Sequence, residues 1–562
     1  MSGCPDRPQS ERPEHIGFAP QPMVRWFDPV QLIGTAFQVV LSGIFGAYSD
    51  KREIQAALAP GAVPDEQSYA SGEELWLDYV ADLGDGFEPT YTIAYLLSRP
   101  ALTAVRGDQK WETERGRILV MGGDQVYPTA RREEYENRLI GPYRAALPCT
   151  LPAESPHLYA IPGNHDWYDG LTSFVRFFCQ RRYIGGWWLW AIDIQFDAYI
   201  DDPQLAYFRA ARRRLLAGDR VVLATSKPSW IKGPGDHSYE NLRFFAKEMI
   251  AGTGATLAVT VAGDLHHYCR YQERGGSRQK ITSGGGGAYL YPTHHLKPSL
   301  TFDEPGEGGV TFELRDVYPA KEQSERLRWR AGRLLAVRNV RFLRVVAALY
   351  FVLALLIQIP VRRALLRSND VWTALPTSKW TALAAGLLVL VLTLFAAPRN
   401  IGGRFALGAA HALSHVILLA LVVALLATAL SGAPGDLRGW WWALVVAGGA
   451  ALLACFPGSC LLGLYLSLCD RFGDRLERHT NEAFACQAIE GWKNFLRLHI
   501  DREGTLTIYP LGVDRVLRRR DLALNEDGAP GDPFFRPKDG VAVPVRLLEE
   551  KPVRIGAPGA AA

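Results

Sequence analysis

The sequence lacks the cysteine spacing and the charge excess that would assign it to several common classes of protein. Its eight cysteines have no CxxC spacing, and half of them stand in or just after the most hydrophobic third of the chain. This distribution is typical of small apolar side chains in a reducing compartment, not of a disulfide framework or a zinc cluster. The formal charge is only +4 over 562 residues. That balance gives no argument for a nucleic-acid partner, and none is expected.

The N-terminal segment, residues 1–74, lacks a secretory pattern. Residues 1–22 are polar and rich in proline, without a basic stretch followed by an apolar one. A cleaved signal is therefore not expected, and the folded N-terminal part should remain in the cytoplasm. Residues 29–49 carry no charge but contain two glutamines and three glycines, which favours an interfacial or buried helix over a membrane span.

Beyond residue 74, short β-rich runs alternate with helical, arginine-rich stretches. The runs are residues 75–81, 118–121, 158–161, 221–224, 257–262 and 280–282. This alternation predicts a layered α/β domain over residues 75–320, with functional turns at the ends of the strands.

A basic segment and four apolar runs follow. Residues 321–344 hold eight lysines and arginines against two glutamates, which predicts a juxtamembrane helix on the cytoplasmic surface. Residues 345–361, 381–398, 405–430 and 440–468 are each apolar enough to span, so region 345–469 is predicted to be an all-α transmembrane bundle of about four helices. The last run contains Pro457, so it is either one kinked helix or a helix plus a re-entrant piece.

The orientation of this bundle has one conflicting signal. An even number of spans would put both ends of the chain on the cytoplasmic side, but the loop at residues 362–379 is also basic, against the positive-inside rule. Abundant alanine, arginine and glycine with little methionine indicate a bacterial source. The expected location is therefore the bacterial inner or cell membrane.

The last segment, residues 470–562, is polar again. Residues 494–500 and 505–509 alternate apolar and polar side chains around a four-residue polar turn, which predicts a β-hairpin. The segment is too short and mixed for a large core of its own, so we expect it to dock on the α/β domain.

Polar side chains follow four of the predicted strands. The strand ends carry Asp82, Asp124, Asn164 with His165, and Asp264 with His266. Carboxylate, amide and imidazole groups at the ends of successive strands are what a site for one or two hard-to-borderline metal ions needs. Glycines beside them allow close approach of the backbone and sharp turns.

With these motifs, residues 75–295 resemble the calcineurin-like metallophosphoesterase family, whose motifs run D-x-H, G-D-x-x-D/Y, G-N-H-D/E, a lone histidine and G-H-x-H. The second and third motifs match in full at residues 123–127 and 163–166. The first lacks its histidine, reading Asp82-Leu83-Gly84, and the second ends in Tyr127. This paired change is similar to the purple acid phosphatase branch, in which a tyrosine phenolate replaces the lost histidine and favours Fe(III). The resemblance implies an αββα sandwich.

Two other motifs depart from the family pattern. Residues 221–228 stand where the family has a strand ending in the lone histidine, and they contain none. The last motif has Asp264 in the position of its first histidine. By resemblance, a first metal would be held by Asp82, Asp124, Tyr127 and His266. A second would be held by the bridging Asp124 and by Asn164, with Asp264 as a substitute ligand. The candidates to complete it are His237, His267 and His294.

The resemblance implies phosphoester hydrolysis, with metal-hydroxide attack on a phosphomonoester, a phosphodiester or a pyrophosphate. His165 would protonate the leaving oxygen, Asp166 would orient His165, and Asp85 would stand in the outer shell. The implied cofactors are one or two metal ions, of iron, manganese or zinc. The basic juxtamembrane helix favours a phosphorylated small molecule or a lipid-linked substrate, because such a helix gathers anionic lipids.

Other interpretations of these residues stay open. The missing lone histidine favours a catalytically impaired domain that senses metal or phosphate, whereas the retained His165 favours an enzyme. The glycine run at residues 283–287 could cradle a phosphate or pass as a loop under the metal site. His411 and His415 stand four apart on the third span and could bind a metal or relay protons, although a hydrogen bond between helices is the favoured account.

Overall fold

The computed structural model describes residues 8–34, 66–69, 74–149, 155–168, 171, 181–184, 187–194, 200–304, 308–367, 370–396, 401–431, 440–473, 479–529 and 531–557. Residues 35–49 of the predicted interfacial helix lie outside them. The chain divides into two compact units. The first comprises Met1–Val24, Thr35–Glu322 and Ile489–Ala562, and the second comprises Arg25–Gly34 and Gln323–Ala488.

The first unit is built on two large mixed β-sheets. Its strands are β1 Glu66–Tyr69, β2 Leu75–Val80, β3 Ala101–Arg106, β4 Gln109–Glu114, β5 Ile118–Met121, β6 His157–Ala160, β7 Arg181–Ile184, β8 Trp187–Ile192, β9 Arg220–Thr225, β10 Thr256–Ala262, β11 Tyr268–Glu273, β12 Gln279–Ser283, β13 Ser299–Glu304, β14 Gly308–Tyr318, β15 Lys493–Ile500, β16 Leu506–Val513, β17 Leu522–Leu524, β18 Phe535–Pro537, β19 Arg546–Leu547 and β20 Val553–Ile555. The first sheet has the order β1-β7-β8-β9-β10-β12-β11-β14-β13, and the second has the order β4-β3-β19-β16-β15-β2-β5-β6, with β20 also paired to β16. Each predicted β-rich run is a strand, with ends that differ by at most one residue.

Helices cover the outer faces of both sheets. They are α1 Pro13–Ile16, α2 Phe87–Leu97, α3 Arg132–Glu134, continued by a π-helix at Tyr135–Ile140, α4 Gly141–Ala146, α5 Asn164–Trp167, α6 Asp202–Arg212 and α7 His237–Met249. The inner faces share one core, in which Leu77 and Ile118 of the second sheet join Val261 and Ile281 of the first. Separate clusters join the first sheet to α6 and α7 and the second sheet to α2. The layered α/β prediction is confirmed.

The C-terminal hairpin lies within the second sheet. Strands β15 and β16 pair antiparallel, and β15 pairs antiparallel with β2, which runs parallel to β5 on its other side. Arg497 of β15 is fully buried, and its Nε lies 3.0 Å from Asp78 Oδ1 of β2. The end of the chain therefore supplies central strands, because β2 has no other neighbour on that side in the sheet order.

The second unit is helical. Its helices are α8 Lys321–Arg328, which begins at the boundary, α9 Ala331–Arg338, α10 Val340–Leu366, α11 Val371–Ala374, α12 Lys379–Phe395, α13 Ile401–Ala429, α14 Trp440–Arg471 and α15 Thr480–Ala485. Among the described residues, α10, α13 and α14 are long and apolar enough to cross a membrane. Helix α12 is apolar but has 17 residues. Helix α14 is continuous over 32 residues with Pro457 inside it, which decides against the re-entrant alternative.

The predicted basic helix at residues 321–344 is divided. Helices α8 and α9 are separate, and α10 begins at Val340 after Asn339, which has non-helical backbone angles and donates a hydrogen bond to the Cys486 carbonyl. Arg328 is buried, and its Nε lies 2.6 Å from Asp470 Oδ2. At least one of the basic side chains therefore forms a buried ion pair inside this unit.

The interpretation of the cysteines needs one correction. Cys269, Cys455, Cys460, Cys469 and Cys486 are free, but Cys149 is disulfide-bonded. No cysteine spacing in the sequence marks this bond. A disulfide depends on which thiols the fold brings together, and spacing alone does not show that.

Candidate metal centre

The predicted ligands stand just past the ends of parallel strands. Strands β2, β5 and β6 run parallel in the second sheet, so the residues that follow them emerge at one edge. Backbone hydrogen bonds join the first two of these turns: Asp82 N donates to Gly123 O at 3.0 Å, and Leu83 N donates to Asp124 O at 2.9 Å. Asp264 follows β10 of the other sheet, and its N–H donates to Asp82 Oδ1 at 3.0 Å. Both sheets thus contribute to one site.

Three of these aspartates have left-handed backbone conformations. The φ angles are 58° at Asp82, 47° at Asp124 and 68° at Asp264. Such angles are uncommon for residues other than glycine, and they concentrate at functional sites because the surrounding structure must hold them. The turns therefore hold these carboxylates in place against a local backbone preference.

The hydroxyl oxygen of Tyr127 is the point on which the first predicted ligand set converges. It lies 3.3 Å from Asp82 Oδ1, 3.2 Å from Asp124 Oδ2 and 3.1 Å from His266 Nε2. Asp82 is fully buried, yet its Oδ2 has no hydrogen-bond partner in the described part of the chain. Buried carboxylate oxygens are ordinarily paired or coordinate a metal. The two carboxylates and the phenol offer oxygen atoms, one of which, Asp82 Oδ2, has no partner in the described regions, and the imidazole offers a nitrogen. This set of donor atoms fits a hard metal ion.

His266 is oriented for ligation through Nε2. Its Nδ1 lies 2.8 Å from the Tyr289 carbonyl oxygen, to which an N–H at that position donates. A histidine that ligates a metal commonly gives its other ring nitrogen to such a partner, which sets the tautomer. Burial lowers the pKa of His266 to about 3, so the imidazole is neutral, as ligation requires.

When no cation is bound, burial and mutual repulsion disfavour the ionised form of these carboxyl groups. Burial raises the pKa of Asp82 well above its usual range, and the charges of Asp124 and Asp264 raise it further. Burial also raises the pKa of Asp124 and the pKa of Asp264 to about 6. A nearby cation would lower these pKa values, because it favours the ionised form of a carboxyl group.

The third motif is held against the second. The His165 N–H donates to Asp124 Oδ1 at 3.0 Å, and a Cβ added to Gly163 would lie 2.0 Å from the same oxygen. Only glycine permits that approach. His165 Nδ1 lies 2.8 Å from the Pro128 carbonyl oxygen, and Asn164 Nδ2 donates to the Tyr168 hydroxyl at 3.0 Å.

Asp166 is placed differently from its predicted role. Its Oδ2 accepts from Gln125 N at 3.1 Å and from Gly163 N at 2.9 Å, and its Oδ1 accepts from the Tyr135 hydroxyl. The carboxylate therefore ties the second and third motifs together, whereas the Pro128 carbonyl orients the His165 ring. Asp166 is predicted to orient His165 because it is the next residue in the sequence. In a helical turn, however, adjacent side chains point in different directions.

Asp85 contacts Tyr289, the residue whose carbonyl meets the predicted ligand His266. Its Oδ1 accepts from Val24 N at 2.7 Å, and its Oδ2 accepts from Tyr289 N at 3.3 Å. Tyr289 is also the residue whose carbonyl meets His266. Asp85 thus supports the segment that contacts a predicted ligand, and an outer-shell role stays a prediction.

The three further histidine candidates lie in different surroundings. His267 is fully buried beside Tyr291, with ring centroids 6.3 Å apart. His237 is exposed as the first residue of α7. His294 packs on His295 with ring centroids 4.0 Å apart. None of the three belongs to the group around the Tyr127 hydroxyl.

The glycine run packs beneath the site. Gly286 N donates to Ala81 O at 2.9 Å, and Gly284 N donates to His267 O at 3.1 Å. A Cβ on Gly287 would lie 1.8 Å from Leu83 O. The N–H groups of Gly284 and Gly286 are therefore engaged by carbonyls, which favours a loop under the site.

Sequence reasoning missed Lys493. This residue begins β15, is fully buried, and its Nζ donates to Ala288 O at 2.7 Å. Burial lowers the pKa of Lys493 to about 8, while the charges of Asp85, Glu490 and Asp82 raise it. The tail thus adds a cation near the acidic cluster. No local motif marks it, because Ala288, Asp85 and Asp82 are all more than 200 positions away in the sequence.

No protein-family model matches the chain, and no curated protein matches it. Several solved structures match at low identity. A purple acid phosphatase, PPD1, from yellow lupin seeds has 12% identity and a TM-score of 0.31, covering 44% of this chain and 52% of that one. GAP50, the anchor in the inner membrane complex of Plasmodium, has 10% identity and a TM-score of 0.28, covering 43% and 84%. PhoD has 11% identity and a TM-score of 0.26, covering 39% and 59%.

These likenesses are distant and concern the fold alone. The chain spans about half the length of the purple acid phosphatase that it matches. The described strands form two large mixed β-sheets, and the described helices include three that are long and apolar enough to span a membrane.

Proposed function

We propose that this protein is a membrane-anchored, metal-dependent phosphoesterase that hydrolyses a phosphomonoester, a phosphodiester or a pyrophosphate. The supporting observation is the convergence of Asp82, Asp124 and His266 on the Tyr127 hydroxyl at 3.1–3.3 Å. The partnerless Oδ2 of buried Asp82 adds to it.

The metal would be held by Asp82, Asp124, Tyr127 and His266. Oxygen donors of this kind, including a phenolate, suit a hard ion such as Fe(III) or Mn(II), with zinc as the borderline choice. When bound, the ion polarises a phosphoryl oxygen and makes water a nucleophile at neutral pH.

His165 would supply the proton to the leaving oxygen. With Nδ1 directed at the Pro128 carbonyl, Nε2 is the ring nitrogen that would deliver the proton. A fixed imidazole removes the need to order that side chain during the reaction. Tyr168 packs edge-on against this ring, with centroids 4.9 Å apart, which further limits its rotation.

The protein would cross the membrane four times. Because β15 pairs with β2 in one sheet, the chain before and after the helical unit must lie on the same side of a membrane. An even number of crossings follows. Helices α10, α13 and α14 make three, so we assign the fourth to α12, whose 17 residues extend about 25 Å.

A phosphorylated lipid is the favoured substrate class. Arg326 of α8 and Arg333 of α9 are exposed, as is Arg330 in the turn between these helices, where Trp329 is 49% exposed. Basic residues with an interfacial tryptophan are typical of a surface that binds anionic lipid headgroups on the cytoplasmic side.

The test uses the full chain in detergent, loaded with Mn(II) or iron. Substrates are p-nitrophenyl phosphate, bis(p-nitrophenyl) phosphate, pyrophosphate and vesicles containing phosphatidic acid. We expect His165→Ala to lower turnover by about 10²–10⁴-fold while the metal content stays unchanged. Metal-loaded protein that turns over none of these would contradict the proposal. Turnover of soluble esters alone would contradict the lipid assignment.

A sensing module is the second candidate function. It is favoured by the absence of a histidine at residues 221–228, where Ser226 lies against the second motif. This candidate predicts metal-dependent binding of inorganic phosphate with no hydrolysis of any substrate, and no effect of His165→Ala on that binding.

A further inference from the structure

The helical unit contains a buried group of titratable side chains that the proposed phosphoesterase activity does not use. His411 and His415 of α13 are buried, and so is Tyr350 of α10. Both helices are long and apolar enough to cross a membrane. Ionisable side chains inside such helices are costly, and they commonly mark a path for ions or protons.

The contacts of these three side chains form a line. His411 Nε2 lies 3.0 Å from His415 Nε2, and the other ring nitrogen of His415, Nδ1, is hydrogen-bonded to the Tyr350 hydroxyl. His415 is therefore engaged at both ring nitrogens. An imidazole in this position can accept a proton at one nitrogen while it releases a proton from the other.

A hydrogen bond between helices, the account that the sequence favours, explains only half of this line. The bond between His415 and Tyr350 joins α13 to α10. The contact between His411 and His415 lies within α13, so it fastens no helix to another. An apolar side chain in place of His411 would avoid the cost of burying a polar ring. His411 therefore needs a further explanation.

A metal ion held by the two histidines, the other open interpretation, is not favoured by this geometry. The ligands of one ion converge on a point, and a zinc site draws on at least three side chains of the protein. The Tyr350 hydroxyl contacts Nδ1 of His415, which is not the nitrogen that faces His411. The contacts therefore run in a line, which suits the passage of a proton.

At one end, the line of titratable groups reaches the end of α14. The ring of His411 stacks on Tyr465 of α14, with centroids 4.1 Å apart, and the Tyr465 ring lies 5.8 Å from the ring of His479. His479 stands beyond α14 and caps α15, and its Nδ1 lies 3.6 Å from Glu482 Oε1. Its Nε2 is buried and has no hydrogen-bond partner among the described residues. An unpartnered imidazole nitrogen at this end can exchange protons with the group inside the span.

At the other end, polar groups continue beyond Tyr350. Gln358 is buried eight residues further along α10, a distance of about 12 Å. On α14, a Cβ added to Gly458 would lie 2.2 Å from the Tyr350 hydroxyl oxygen, and the next residue is the fully buried Ser459. Within the part of the chain that the structure describes, Gln358 Oε1 and Ser459 Oγ have no hydrogen-bond partner. Ordered water commonly bridges buried polar groups of this kind.

We propose that the helical unit conducts protons, and that His411 and His415 relay them between the end of the bundle at His479 and the Tyr350 hydroxyl. A proton taken up at Nδ1 of His411 releases the Nε2 proton to Nε2 of His415. His415 then gives its Nδ1 proton to the Tyr350 oxygen, and the original hydroxyl proton leaves towards Gln358. Each transfer breaks one N–H or O–H bond and forms another. The relay does not depend on the phosphoesterase activity proposed for the other unit.

The first test measures proton flux. The full chain is reconstituted in liposomes of phosphatidylcholine and phosphatidylglycerol that contain the pH-sensitive dye pyranine, and a potassium gradient with valinomycin supplies the driving potential. We expect the wild type to change the internal pH faster than protein-free liposomes do. We expect His415→Phe to lose this excess rate. Wild-type flux equal to that of protein-free liposomes, or to that of His415→Phe, would overturn the proposal.

Ser414→Ala is the matched control for this flux. Ser414 stands on α13 between the two histidines, but its Oγ donates to the backbone carbonyl of His411 at 2.6 Å and takes no part in the line. We expect this variant to conduct protons at the wild-type rate. A loss of flux equal to that of His415→Phe would mean that any change in this part of α13 stops conduction, and it would overturn the relay.

Tyr350→Phe tests the relay without removing a ring from the bundle. It removes only the hydroxyl that His415 contacts, so we expect the flux to be lost while the thermal unfolding temperature in detergent stays close to that of the wild type. Flux at the wild-type rate in this variant would overturn the proposed path through Tyr350.

The metal content of His411→Phe separates the relay from a metal site. This variant keeps an aromatic ring against Tyr465. The full chains of the wild type and the variant are loaded with Zn(II) or Mn(II), desalted and compared by inductively coupled plasma mass spectrometry. Equal metal content, together with loss of proton flux in the variant, would support the relay. One ion fewer per chain in His411→Phe would assign the histidines to a metal and overturn it.

Discussion

At the scale of single residues, the candidate site depends on tyrosine and glycine as much as on its acids. Tyr127 is the common neighbour of the other predicted ligands, and it is almost wholly buried. A phenol in that position can lose its proton to a metal and supply a hard anionic oxygen. Removing the hydroxyl alone should therefore weaken metal binding without removing the ring from the core.

Tyr127→Phe tests this role. We expect the affinity for Mn(II) or iron to fall by about 10–100-fold, since one donor of four is lost. Titration calorimetry of the full chain measures it. Tyr79→Phe is the control, because the Tyr79 hydroxyl is also buried and has no partner in the described regions. A fall of equal size in both variants would mean that general packing, not ligation, is affected.

Gly163 provides a second test at this scale. Alanine would place a Cβ 2.0 Å from Asp124 Oδ1, so the carboxylate or the turn must move. We expect metal affinity to fall and stability to decrease by about 1–3 kcal/mol. Gly309→Ala is the control, since its added Cβ meets nothing nearer than 3.9 Å. Unchanged metal binding in Gly163→Ala would show that this close approach does not hold the site.

At the scale of elements, the hairpin of β15 and β16 is central to the second sheet. Arg497 is fully buried, with Nε bonded to Asp78 and Nη1 bonded to the Thr113 carbonyl at 3.3 Å. Removing one partner of a buried ion pair leaves the other charge buried and unpaired. The same hairpin begins with Lys493, so the stability of this element and the electrostatics of the site are linked.

Arg497→Met should therefore destabilise the protein strongly, by about 3–5 kcal/mol. Urea unfolding of the full chain in detergent, followed by tryptophan fluorescence, measures it. Arg546→Met serves as the control, because the Arg546 side chain is 45% exposed and pairs with Asp514 at 3.3 Å. We expect that change to cost less than about 1 kcal/mol. Similar midpoints for the two variants would argue against a central role for the hairpin.

At the scale of the whole molecule, sheet pairing constrains membrane topology. Residues from both ends of the chain share one sheet, whereas the helical unit is formed between them in sequence. Helix length alone counts three spans, which would separate those ends. In the proposed membrane arrangement, α12 is therefore assigned as a fourth crossing.

Single cysteines introduced at exposed positions test the four-span arrangement. We expect Ser277 and Asp527 variants to react with a membrane-impermeant maleimide from the same side. Asp370 and Ser431 variants should react from the opposite side. Labelling in intact cells and in inverted vesicles, in a background free of other reactive cysteines, makes the comparison. Reaction of Ser431 from the same side as Ser277, with Asp370 still on the opposite side, would remove α12 from the list of spans.

Much of the fold could be predicted because its signals are local. The strands and the four apolar helices follow from hydrophobic runs and their lengths, and their observed bounds lie close to the expected ones. Asp82, Asp124 and Tyr127 could be nominated because each stands in a short turn after a strand. Parallel strands then bring those turns to one edge.

The sequence by itself determined which side chains were available at the strand ends and which helices were apolar enough to meet a membrane. Only the tertiary structure decided that the Pro128 carbonyl, not Asp166, contacts the His165 ring, that Lys493 approaches the acids from the tail, and that Ser226 lies against Gly123. These relations join segments far apart in the chain. No local pattern carries them, because side-chain contact depends on sheet order and register, which are settled only when the whole unit packs.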